Sequence, residues 1–263
     1  MRITKQLRAD IIAHAAKEYP KEACGVIVNK EYIPCRNVAE DPTRFFSINP
    51  IDLVQAESKG AIEAYVHSHP NGIAEPSEPD LVQLNKHNKE WLICGYTPNE
   101  YEDVKSFKPN NFKLPLLGRS YFHGLQDCYS LIKDFYYREL NITLNDYERI
   151  DKWWLEENTK SLYLDNFKNE GFIEIDLEED SIQKYDVILF RLGRTHHINH
   201  AGVFLEDGTL TSEAAPKVIG NSLFIHHPYD RQAVREIYGN VWSKRTAKVL
   251  RHNTIINKGL SNA

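Results

Sequence analysis

Apolar residues open the chain at helical spacing, with Leu7, Ile11, Ile12 and Ala15 along one stripe, which predicts a first helix. The period changes after YPKEAC, where Gly25 introduces the β-rich run Val26-Ile27-Val28. A loop rich in Pro and Asp follows. IDLVQAESKGAIEAYVHSHP then reads as a helix leading into a strand that stops at Pro70. SEPDLVQLNKHN predicts another helix and WLICGYT a short strand. Residues 105–118, KSFKPNNFKLPLLG, hold two prolines and two adjacent asparagines with no period, and read as a linker. Beyond them DCYSLIKDFYYREL has the apolar face of a helix. NITLNDYERIDKWWLEE reads as a further helix, and EGFIEIDLEED as an acidic, solvated loop without ligand spacing. From residue 186 the pattern turns to strands: DVILFR, HAGVFLEDG and SLFIHHP. There is no internal repeat. The order predicts an α+β protein of two domains, residues 1–110 and 111–263.

Composition narrows the classes. The 263 residues carry 32 basic and 37 acidic side chains, a net charge of -5. Residues 1–110 hold 13 basic and 16 acidic groups, and the remainder 19 and 21, so neither half is a basic arm for nucleic acid. No apolar run reaches the ~18 residues of a membrane span, so none is expected. The first nineteen residues are interrupted by charge too often for a signal peptide. The four cysteines, Cys24, Cys35, Cys94 and Cys128, lie 11, 59 and 34 residues apart, which makes neither a zinc knuckle nor a redox pair. Synthesis in a reducing compartment is expected.

Two constellations carry chemistry. In VHSHPNGIAEPSEPD, strand alternation puts His67 and His69 on one face. Asp80 follows eleven residues after His69, in the first turn of the next helix, and can fold back as a third ligand. Two His, one Asp and a water make a catalytic rather than a structural zinc site. Such a site needs a base, and Glu22, before the Cys24-Gly25 turn, is the candidate. A capping box with Ser77 as N-cap and Asp80 at N3 also accounts for those two residues. The run EACG, HSHP, PSEPD resembles the JAMM/MPN zinc metalloprotease family, with every motif position filled. That resemblance implies a mixed sheet with flanking helices, Zn²⁺ on His67, His69 and Asp80, Glu22 as base, and Ser77 steadying the tetrahedral intermediate.

The second set is Cys128, His200 and His226. Cys128 opens a helix, where unpaired N–H groups and the dipole favour thiolate. His200, on a strand, is the candidate base, and His226, on the next strand, can hold its ring in the useful tautomer. His227 alternates to the other face and is the weaker candidate. A cysteine on an apolar helix face is equally a small buried hydrophobe. The cluster HHINH is either a second metal site or an exposed loop. LQDCYSLI, YDVILF, NHAGVFLEDG and FIHH together resemble the NlpC-type papain-like peptidases. The resemblance implies a helix packed on an antiparallel sheet, with Cys128 as nucleophile, His200 as base and His226 as orienter. Two departures stand out: Tyr185 replaces the family's usual glycine, and TLTSEAAPKVIGNS lengthens the connection before FIHH.

The order of the two halves resembles a family of tail-tip assembly proteins of lambda-like tailed phages. It implies synthesis in the host bacterial cytoplasm, a place in the virion tail tip, and other tail-tip proteins as partners. It also implies cleavage of stem peptides in bacterial peptidoglycan by the second half, and processing of a ubiquitin-like segment of a tail protein by the first. Two further readings are a structural assembly factor whose peptidase folds serve as docking modules, and a bacterial wall hydrolase. The lack of an export signal argues against the latter.

Overall fold

The computed structural model describes residues 1–258, which divide into two compact units, Met1–Lys113 and Leu114 onward. In the first, elements run α1 (Lys5–Glu18), β1 (Cys24–Val28), β2 (Glu31–Cys35), α2 (Pro50–Glu57), β3 (Ile62–Pro70), α3 (Glu78–His87), β4 (Glu90–Thr97) and β5 (Tyr101–Phe107). The five strands form one mixed sheet in the order β2-β1-β3-β4-β5. Only β3 and β4 run parallel within it, joined through α3. Leu7, Ile11 and Ala15 of α1 pack on Ile27, Ala64, Val66, Leu92 and Cys94 on one face. Burying such a stripe contributes most of what holds a helix to a sheet. The opposite face, under α2 and the 36–49 loop, gathers Cys24, Val26, Val28, Ala56 and Ile62.

The second unit runs α4 (Cys128–Leu140), a 3-10 turn (Trp153–Leu155), α5 (Leu162–Asn166), β6 (Phe172–Glu174), β7 (Val187–Phe190) and β8 (His200–Glu206). It continues β9 (Leu223–His226), β10 (Val234–Ile237), α6 (Asn240–Ser243), β11 (Thr246–His252) and α7 (Asn253–Lys258). All neighbours in the sheet β10-β9-β8-β7-β11-β6 are antiparallel. The α4 face of the sheet buries Leu131, Phe135, Val187, Leu189, Ala201, Val203 and Ile225. The other face buries Ile188, Phe190, Phe204, Phe224 and Val249, with Trp242 and Tyr238 against them.

Two sequence expectations fail here, and the segment read as a linker, within which the two units divide, is ordered at its ends. Lys105–Phe107 complete β5, and Leu116 is fully buried in the second unit's core, so the linker pattern at 105–118 covers structured residues at both ends. Residues 141–157 form no α-helix. Asn141 adopts left-handed backbone and ends α4, and the segment runs irregularly to the 3-10 turn, pinned by Arg149. Its helical composition yields to these tertiary anchors. Within the acidic stretch, Phe172–Glu174 pair with β11 as an edge strand. Among the described residues no helix is long and apolar enough to cross a membrane.

Candidate active sites

The first site sits at the end of β3. His67 and His69 point to the same side, with their Nε2 atoms 3.0 Å apart. Ser77 caps α3 while Asp80 folds back from its first turn, so that Asp80 Oδ1 lies 3.2 Å from His67 Nε2 and Oδ2 3.2 Å from His69 Nε2. Ligand atoms held 2.0–2.1 Å from a tetrahedral zinc ion stand about 3.3 Å apart. Each histidine nitrogen stands at about that spacing from the other and from one Asp80 oxygen, and the three ligand atoms lie within 4.8 Å of one another. His69 Nδ1 lies 3.1 Å from the Ile73 carbonyl, which fixes the ring and leaves Nε2 as a lone pair. Phe46 stacks on His67 at 4.6 Å and Trp91 meets it edge-on at 5.3 Å, so His67 cannot swing away. This is the one group of His, Cys, Asp or Glu among the described residues with metal-ligand geometry. HHINH makes none: His197 Nε2 meets the Glu156 carbonyl at 3.0 Å and His200 is buried on β8.

The capping box is present as well. Ser77 donates from N and Oγ to Asp80 Oδ2 at 2.8 and 2.7 Å, and Asp80 N–H returns to Ser77 Oγ at 3.3 Å. Cap and candidate ligand are thus one carboxylate. Burial alone would raise the Asp80 pKa, but His67, His69 and Ser77 hold it well below the carboxylate range. Burial lowers His67, whereas Asp80 overcomes burial at His69 and raises it. Glu22, buried just before β1, is pushed up to about 7 by burial, with His69 opposing and Asp80 adding. The Ala23 N–H donates to Ser68 Oγ at 2.8 Å, which ties the Glu22 turn to the histidine strand.

The second site is a cleft of about 270 Å³ lined by Cys128, His200, Tyr121, Trp154, Tyr163 and His227, among others. Cys128 is the first residue of α4. Its N-cap, Asp127, accepts the Ser130 and Gly124 N–H groups at 2.9 Å each. The Cys128 and Tyr129 N–H groups have no carbonyl partner in their own helix. Arg149 spans this turn, donating to Asp127 Oδ2 (2.7 Å), Ser130 Oγ (2.9 Å) and the Gly124 carbonyl (2.8 Å). Both charged side chains are almost fully buried. Arg149→Ala strands the Asp127 charge and should destabilise the second unit by about 3–5 kcal/mol, read as a lowered midpoint of its urea transition. A loss under about 1 kcal/mol would mean that the ion pair positions nothing.

His200 begins β8, and strand alternation turns its ring to the face away from α4, against Phe190 and Trp242. His200 Nε2 meets His226 Nδ1 at 2.9 Å. Gly202 lies opposite His226 in the sheet, and a Cβ there would stand 2.7 Å from the Ile225 carbonyl and 3.0 Å from His226 Cβ. The missing side chain lets the two histidine strands close. The lengthened connection leaves this pairing intact because its start is clamped: Glu213 accepts the Leu116 N–H at 2.8 Å and pairs with Arg138 at 2.9 Å. Tyr185 takes left-handed backbone (φ 77°), the conformation in which glycine is easiest, at a cost on the order of 1–2 kcal/mol. Its N–H to Phe204 O (2.7 Å) and its carbonyl, accepting from Tyr136 Oη (2.6 Å), hold it there.

The thiol itself departs from the helix-terminus expectation. Burial, and then the Asp127 charge, push Cys128 up to about 11, against lowering by Tyr163 and the Ala201 backbone. His200 is held well below its usual range by burial and its histidine neighbours. Neutral thiol and neutral imidazole are therefore the resting forms. Tyr163 Oη lies 3.2 Å from Sγ, a partner that no sequence motif marked. Tyr163→Phe keeps the ring and removes that hydrogen bond, so the thiol pKa should rise further. Alkylation of Cys128 by iodoacetamide should climb about tenfold per pH unit between pH 7 and 9 and run slower throughout in the variant. Equal rates in the two proteins would show that the hydroxyl does not touch the thiol's ionisation. Cys24, Cys35 and Cys94 are buried free thiols, pushed up to about 12, 11 and 12 chiefly by burial.

Residues 4–109 match the model of prokaryotic homologs of the JAB domain, and residues 118–251 that of the NlpC/P60 family. The chain is 34% identical over 249 residues to the tail tip assembly protein K of Escherichia phage N15, covering 93% of each. It is 34% identical over 206 residues to the tail tip assembly protein K of Escherichia phage lambda, covering 78% of this chain and 89% of that one.

Proposed function

The chain belongs to the tail tip assembly protein K family, with a JAB-like and an NlpC/P60 domain, and from that premise we propose that its second unit is a cysteine endopeptidase of peptidoglycan stem peptides. The observation that carries this reading is one cleft lined both by Cys128, at a helix N-terminus, and by His200, which is paired with His226. His200 Nδ1 takes the Sγ proton as the sulfur attacks the scissile carbonyl, so that ionisation accompanies attack instead of preceding it. The free N–H groups of the first turn of α4 receive the oxyanion. His200 then returns the proton to the leaving amine, and water hydrolyses the thioester. The aromatic walls of Tyr121, Trp154 and Tyr229 exclude bulk water and give the peptide a surface to lie on.

The first unit is the second peptidase head. His67, His69 and Asp80 would hold a zinc ion, which when bound supplies Lewis-acid polarisation and a water of lowered pKa. Glu22, with a carboxyl near neutrality, is suited to move a proton in either direction. Ser77 is committed to Asp80 through its hydroxyl, and so steadies the ligand first. A ubiquitin-like segment of a neighbouring tail protein is the substrate we assign to this unit, with other tail-tip proteins as partners and the virion tail tip as the place of action. Mass spectrometry of muropeptides released from purified sacculi tests the cysteine head: a product cut within the stem peptide is expected, and its absence would remove the proposal.

A further inference from the structure

Strand β10 pairs with β9 so that Val234 lies opposite His226 and Glu236 opposite Phe224. Alternation puts the Glu236 carboxylate on the same face as the His226 ring. Glu236 Oε2 accepts from Trp242 Nε1 at 2.8 Å, while Oε1 faces His226 Nε2 at 3.7 Å. That ring nitrogen is buried and makes no hydrogen bond of its own. Phe224 stacks on the ring at 4.5 Å and Trp242 meets its edge at 4.8 Å, so the ring is clamped with Nε2 toward the carboxylate.

A hydrogen bond between two neutral imidazoles needs an N–H on one and a lone pair on the other, and the His200–His226 contact could be built either way. A carboxylate accepts only. With Nε2 of His226 bare, two lone pairs would face each other; with Nε2 protonated, the contact is attractive. Protonation at Nε2 leaves His226 Nδ1 as acceptor, which makes His200 Nε2 the donor. His200 Nδ1 is then the lone pair left for the cleft.

We infer that Glu236, held by Trp242, is a positioning residue that selects the His226 tautomer and through it keeps His200 Nδ1 free to take a proton. This deepens the proposed cysteine chemistry and rests on it. The histidine-labelled full chain, studied by ¹⁵N NMR at pH 7.5, tests it. In the wild type both rings should carry their proton on Nε2. Glu236→Ala should shift His226 and His200 toward the Nδ1–H form and slow Cys128 alkylation severalfold, with the melting transition retained. Glu236→Gln, whose single amide oxygen is taken by the Trp242 N–H, turns its NH2 toward His226 Nε2 and should shift both rings the same way as Glu236→Ala. Unchanged ring shifts in Glu236→Ala would overturn the inference, as would slower alkylation with unchanged tautomers, which is the mark of a packing effect. A tautomer shift in a protein that cuts no wall peptide would sink the peptidase proposal and leave this one standing.

Discussion

Cys128→Ala is expected to remove the stem-peptide product from sacculus digests, with turnover falling on the order of 10³-fold or more, because in the proposed reaction the acyl bond forms on its sulfur. The fold should survive. Cys128 is only partly buried, and deleting its sulfur leaves a small void at the cleft rather than in the core. Cys128→Ser is the sharper control. It keeps shape and hydrogen-bonding capacity, but a hydroxyl in this environment is far harder to ionise than the thiol already pushed up to about 11. Serine should therefore be nearly as inactive as alanine. Product formed equally by wild type and Cys128→Ala would show that the cleft is not the catalytic centre. No product from a folded wild type would shift the weight to a docking role for this unit within the tail.

Much of both sites was legible because the signals were local. HxH on one strand fixes two rings on one face whatever the rest of the chain does, and His67 and His69 meet at 3.0 Å. The Asp80 carboxylate returns to them because the same capping box that accounts for Ser77 and Asp80 as helix-terminus residues aims it there. Asp127 before Cys128 reads as an N-cap, and α4 starts where that predicts. What stayed hidden depends on distant partners. Tyr163 reaches Cys128 across 35 residues, and Arg149 reaches Asp127 across 22, with no motif linking either pair. Arg149 sits in a stretch whose Glu, Lys and Arg content favours helix, but its bonds to Asp127, Gly124 and Ser130, with those of Asn145 and Tyr147 to Glu170, tie the irregular backbone down. The thiol departs from the sequence expectation for a related reason. A helix N-terminus favours thiolate by a fixed local field, but desolvation depends on what the sheet and α5 bring over it. The strands β10 (Val-Arg-Glu-Ile) and β11 (Thr-Ala-Lys-Val-Leu-Arg-His) lack a strict alternation of apolar and polar residues, so no period separates them from loop, although β10 carries Glu236 to the histidine pair.

Zinc content gives the second large effect. The wild type should hold about one zinc per chain after dialysis, and His67→Ala none, since two donors at this spacing retain metal poorly. Retention should also fall as pH drops, because the ligating nitrogens must be unprotonated. His69 is the sensitive one: its pKa is raised, so protons compete there first as pH falls through and below neutrality. His67→Ala also opens a void beside Phe46 and Trp91, so lost metal could be blamed on lost structure. Two further variants separate the causes. Asp80→Asn can still cap α3 but loses the carboxylate charge, and should lose zinc while keeping the first unit's melting transition. Ser77→Ala breaks the cap at a cost of about 1 kcal/mol yet leaves all three donors, and should keep zinc. If Ser77→Ala lost metal while Asp80→Asn kept it, Asp80 would be a helix cap and nothing more. The opposite pattern requires the carboxylate to serve both purposes, and the 2.7–3.2 Å contacts on its two oxygens already divide it between Ser77 and the histidines.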